Sequence, residues 1–159
     1  MVSGVLGTVQ IGTIDGPNST ISFASGVNCE SSVNLRAGGV AICKVADNKA
    51  AVIYGTQNSE TNTRIITVSG TTPTIHTKNQ FVTQETKQNV GGQAIAFDET
   101  TQRLVLGSVN NSGNRLMCWA ASISGNTITV GTSSGNFDSG QTDYVNLRYS
   151  KFLSKVVLF

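Results

Sequence analysis

Trp119 is the only tryptophan of the chain, and Arg115 stands a few residues before it on the same apolar stretch. A tryptophan at a surface offers a flat apolar face to a sugar ring, and arginine or aspartate can hold sugar hydroxyls by directional hydrogen bonds. Asp143 and Tyr144, in a polar segment ahead of the last strand pair, are candidates for the same work. Large aromatics also fill cores, and Leu116, Met117 and Cys118 are apolar on both alternations beside Trp119, which suits a strand covered on both faces. The residue types therefore allow a ligand-binding Trp119 or a packed one.

Catalytic chemistry is sparse. The single histidine, His76, follows Thr74-Ile75 and has no positional counterpart elsewhere. A general base needs partners, so a lone histidine on a strand is expected to face solvent. No serine sits in a Gly-x-Ser-x-Gly elbow. Asp15, Asp47, Asp98, Glu99, Asp138 and Asp143 lie mostly at turns, where carboxylates cap backbone N–H groups, and no two acids recur together as a glycosidase pair would. There is no calcium loop, and Gly91-Gly92 precedes no helix that could cradle a phosphate.

Cys43 and Cys118 sit inside apolar stretches and read as small buried hydrophobes, while Cys29 sits in a loop. A Cys29–Cys43 disulfide is the alternative, and it would imply an oxidising site of assembly. No Cys-x-x-Cys or Cys/His cluster supports zinc. The expectation is a chain with no catalytic residue, no metal site and no cofactor.

The elements that must position these residues repeat. Ile14-Asp15-Gly16-Pro17-Asn18-Ser19-Thr20-Ile21 is answered by Val68-Ser69-Gly70-Thr71-Thr72-Pro73-Thr74-Ile75 and by Ile123-Ser124-Gly125-Asn126-Thr127-Ile128, with the Thr-Ile pairs 54 and 53 residues apart. Glycine supplies the positive φ of a tight turn and the flanking β-branched residues favour extended chain, so each copy is expected to be a β-hairpin with Pro17 and Pro73 in its turn. A second pattern runs in step. Val45, Phe97 and Tyr149 mark copies 52 residues apart, each followed by a polar turn and an apolar strand. A self-similar period of this size marks a repeat architecture. The repeats span about 7–55, 64–107 and 115–159, with four strands each, no helix and no second domain.

Composition agrees. The chain has 159 residues, 38% hydrophobic and only 13% charged, with a net charge of +2. That is an all-β composition with a neutral surface, and it gives no reason to expect nucleic acid or membrane insertion. No apolar run reaches the length of a membrane span, and Met1-Val2-Ser3-Gly4-Val5-Leu6 has no basic residue to begin a signal peptide.

The pieces Val68–Ile75, Tyr144–Ser150 and Ser154–Phe159 resemble a repeat of roughly fifty residues found in tail-fibre and related proteins of phages, especially marine ones. The resemblance covers nearly the whole chain and implies four-stranded β-propeller-type blades. The sequence departs from that family in having three copies and in losing the usual Tyr-Gly ending at Phe159. A β-trefoil also closes with three four-stranded units, but it normally has a shorter repeat, and its sugar-binding form carries a Gln-x-Trp that is absent here. The function implied is a non-enzymatic structural or host-surface attachment module, on a virion or an extracellular face, with a cell-surface glycan as a candidate partner. A free-standing sugar-binding lectin is the rival reading, and a glycosidase ranks behind it. If a blade joins the second hairpin of one repeat to the first hairpin of the next, the two ends of the chain are half-blades. Head-to-tail self-association, as a homodimer or larger ring, or a longer parent polypeptide would complete them.

Overall fold

Gly70 and Gly125 adopt φ of +59° and +57°, and each opens a two-residue turn between paired strands, Ser69↔Thr72 and Ser124↔Thr127. A β-branched residue could not take that φ cheaply, which is why glycine stands there. Four-residue turns solve the same problem differently. They end on Ser19, Gln102 and Ser154, at φ of 53°, 56° and 50°. Gly16 thus does not supply the positive φ in its hairpin; Ser19 does.

The computed structural model of the chain describes residues 7–82, 92–109, 115–136 and 144–159, and it is all-β, with no helix. A small pair, β1 (Thr8–Val9) with β4 (Val27–Asn28), flanks the hairpin β2 (Gly12–Asp15) and β3 (Thr20–Phe23). The first large sheet runs β5 (Leu35–Ala46), β6 (Lys49–Thr56), β7 (Thr61–Ser69) and β8 (Thr72–Ile75), and β9 (Asn79–Val82) pairs with the start of β7. A second runs β10 (Gln93–Asp98), β11 (Arg103–Val109), β12 (Leu116–Ser124) and β13 (Thr127–Asn136). The hairpin β14 (Leu147–Ser150) and β15 (Lys155–Leu158) follows. Every neighbouring pair is antiparallel.

Each large sheet is therefore shared between repeats: the second hairpin of one repeat pairs with the first hairpin of the next, through β6–β7 and β11–β12. The 52-residue spacing holds in register between Phe97↔Leu104 and Tyr149↔Val156. The first copy departs from it. Val52 pairs with Ile42, and Val45 falls at a register shift between Lys44 and Ala46. The cause is a shorter turn, Asp47-Asn48, in place of four residues. Pro73 also lies elsewhere than expected, inside β8 opposite Val68. The His76 N–H donates to the Ile65 carbonyl, so by alternation Pro73 turns its donor-less nitrogen to the open edge of the sheet, where proline is tolerated.

The large sheets pack face to face. Ala51, Ile53 and Ile65 of the first meet Ile95, Phe97, Leu104, Leu106, Trp119 and Ala121 of the second in one cluster. The opposite face of the second sheet, through Ala94, Ala96, Val109 and Leu116, takes Leu147 and Val145. The opposite face of the first, through Val52, Tyr54 and Ile66, takes Val9 and Leu35. Phe97 and Leu104 are cross-strand partners on the buried face. Replacing Phe97 by Ala should cost about 3–5 kcal/mol in urea unfolding, and a loss below about 1 kcal/mol would contradict this packing.

Candidate functional site

Trp119 is a core residue. It is 7% exposed, lies between Leu106 and Ser133 on the neighbouring strands, and meets Phe81 edge to face with centroids 5.1 Å apart at 76°. Its ring has no free face for a sugar, because the second sheet is covered on that side by the first. Arg115, just before β12, is exposed, and Tyr144 is 75% exposed. Asp143 and Asp138 lie outside the described residues. Trp119 and Tyr144 do not converge: Trp119 faces the cluster between the large sheets, while Val145, next to Tyr144, joins the cluster on the far face.

The remaining candidates have structural work. His76 lies just past β8 and is half-buried rather than solvent-facing, with its Nε2 2.8 Å from the Thr67 hydroxyl. Of the turn carboxylates, Asp98 caps backbone N–H groups, whereas Asp15 and Asp47 accept from side chains, the Asn18 amide and the Lys44 ammonium. Desolvation is the largest single influence on Asp98 and pushes its carboxyl up, but the N–H groups of Thr101 and Thr100, which Oδ1 accepts at 3.2 and 2.9 Å, together with the charge of Lys155 outweigh it and hold the carboxyl below the usual range. Asp47 is held low by its 2.7 Å hydrogen bond from the Lys44 ammonium. All three cysteines are free. The loop thiol Cys29 is the buried one, while Cys43 and Cys118 are half-buried along the strands. Burial pushes all three thiols up, Cys43 to about 12.

The structure assembles a different polar centre, around Glu30. This carboxylate is only 4% exposed and accepts a 2.6 Å hydrogen bond from the Tyr54 hydroxyl. Arg64 Nε donates to that same hydroxyl at 2.8 Å, its guanidinium lies 3.5 Å from Glu30 Oε1, and its other arm reaches the His76 carbonyl at 3.1 Å. The Lys78 ammonium also stands 3.5 Å from Glu30. Asn28, Cys29, Glu30, Ser31 and Arg64 line a shallow cavity of about 360 Å³. Tyr54 and Arg64 project from one face of the first sheet, and Glu30 comes from the loop after β4, so the cluster ties that loop to the sheet. A buried carboxylate persists only when paired and hydrogen-bonded, and this one has both. Asn62, cross-strand partner of Tyr54, is fully buried and its amide makes no hydrogen bond among the described residues.

No family model matches the chain, and no curated protein matches it. Among the described residues no three metal-ligating side chains gather, and no helix is long and apolar enough to cross a membrane.

Sequence reasoning missed this centre because Glu30, Tyr54, Arg64 and Lys78 belong to four separate segments with no local motif. Removing Arg64 strands a buried carboxylate, so Arg64→Ala should cost about 3–5 kcal/mol. Lys78 sits at the rim, and Lys78→Ala should cost no more than about 1 kcal/mol. Equal losses in chemical unfolding would contradict this arrangement. Alkaline pH should also destabilise the fold. Burial raises the three thiols above their ordinary 9.0, and burial followed by the Glu30 hydrogen bond raises Tyr54. The folded chain then holds these protons more tightly than the unfolded one, so stability is full below pH 9 and drains as pH climbs towards 12. Thermal melts across that window check it.

Proposed function

We propose that the chain is a non-enzymatic structural and attachment module built from propeller-type blades, working on a virion or an extracellular face. The observation that carries this reading is the reuse of each large sheet as a packing surface on both faces, which turns the repeats into a stack. The chain's buried charge is also committed to scaffolding: Glu30, Arg64 and Tyr54 satisfy one another and hold a loop to the first sheet. The resemblance to phage tail-fibre repeats points the same way. In this reading a cell-surface glycan is the attachment partner, and loop residues carry the recognition.

A free-standing sugar-binding lectin is the second reading, favoured by Tyr144, whose ring is exposed and available to stack on a sugar. Both readings move the sugar platform from Trp119 to Tyr144. Glycan-array binding should fall at least tenfold in Tyr144→Ala, with an unchanged melting temperature. Hydrolysis of a polysaccharide that disappears on changing one Asp or Glu would overturn the non-enzymatic reading.

A further inference from the structure

Two strands in this fold each have an open edge: among the described residues β2 pairs only with β3, and β15 only with β14. They are the counterparts of two strands that do pair. Tyr149↔Val156 repeats Phe97↔Leu104, so β15 stands where β11 stands. Ile14↔Ile21 repeats Ile123↔Ile128 beside the turn, so β2 stands where β12 stands. Inside the chain β11 and β12 are joined. We propose that β15 of one copy pairs with β2 of a second copy, so that two copies complete each other's half-sheets in a closed head-to-tail dimer.

Register and hydrogen bonding agree with this joint. Carrying Leu104↔Ala121 across sets Val156 opposite Gly12 and Val157 opposite Ile11. Phe159 and Asn146 exchange both backbone hydrogen bonds, so by alternation the N–H and C=O of Val156 and Leu158 face the open edge. On the other strand the Ala24 N–H donates to the Ile11 carbonyl, which turns Gly12 and Ile14 outward. Val156 and Gly12 thus meet as a hydrogen-bonded pair, with Val157 and Ile11 as the closer, non-hydrogen-bonded pair beside them.

The apolar surface agrees as well. Within the chain, the cross-strand pair Ala51 and Ile65 packs in one cluster with Ile95. The corresponding pair at the joint is Val157 and Ile11, and the residue in the place of Ile95 is Ile42, which is 60% exposed. Ile11 and Ile42 already line one cavity of about 420 Å³, open where Val157 of the second copy would enter. Ile14, Ile21 and Phe23 are exposed too, although their counterparts Ile123, Ile128 and Val130 pack into the core. In the completed sheet they lie over Ala120, Ser122, Thr129 and Gly131 of the second copy, small residues that line a cavity of about 230 Å³ with Arg103 beside them. This surface continues the contact that β14–β15 already makes with the second large sheet. Two copies then close a ring of six sheets, within the usual four to eight of propellers, and both joints are the same contact. Completing the sheets also hides edges that would otherwise invite aggregation. The proposal does not depend on the attachment reading.

Light scattering after size exclusion tests it on the full chain. The expected mass is twice 16.7 kDa, independent of loading. Ile42 is exposed, so Ile42→Asp should leave the circular dichroism spectrum unchanged while converting the dimer to monomer. Ile11→Cys combined with Val157→Cys should give an intermolecular disulfide dimer on a non-reducing gel, lost with either single change. A monomer at every soluble concentration, or a polymer that grows with concentration, overturns the closed pair. A dimer that survives Ile42→Asp and yields no Ile11–Val157 cross-link overturns the assigned surface.

Discussion

The backbone ladder joining the second hairpin of one repeat to the first hairpin of the next is the interaction on which the rest depends. An isolated two-stranded hairpin is marginal in water, and three or more strands with an apolar face are needed before a sheet is stable. The β6–β7 and β11–β12 ladders turn marginal hairpins into four-stranded sheets, and only then do Ile53, Ile65, Leu106 and Trp119 have a continuous surface to bury. Burial on both faces follows, since a sheet stacked between neighbours cannot leave either face to water without cost.

Much of this organisation was legible in the sequence. Gly70 and Gly125 marked turns because few other residues take a positive φ, and the flanking β-branched residues marked the strands. The spacing of Phe97 and Tyr149 predicted their equivalent pairings, but the same spacing misplaced Val45, because a two-residue turn and a register shift consumed the difference locally. A sequence period does not reveal a turn that changes length while the repeat does not. Trp119 carried its own signal in the apolar residues on both alternations beside it, and the structure selects the packed alternative.

The Glu30 centre was not legible for a physical reason. Hairpin signals are local, whereas this cluster is created by a loop folding back onto the first sheet, so its partners are distant in sequence. The low charge of the chain was the one available hint: where only 13% of residues are charged, each buried charge needs a specific partner. Tyr54 is equally silent in the sequence, since its apolar neighbours Val52 and Ile53 read as strand and say nothing of the hydroxyl that joins Glu30 to Arg64.

Sharing a sheet between two repeats has a consequence for how the molecule comes apart. In a solenoid of self-contained units, one unit can fray while its neighbours keep their own hydrogen bonds, and stability is close to a sum of units and contacts. Here the middle repeat supplies β7 and β8 to the first large sheet and β10 and β11 to the second. Its local melting would break two ladders and expose two faces at once. The repeat is thus a unit of sequence, while the unit of cooperative unfolding is offset from it by half a repeat.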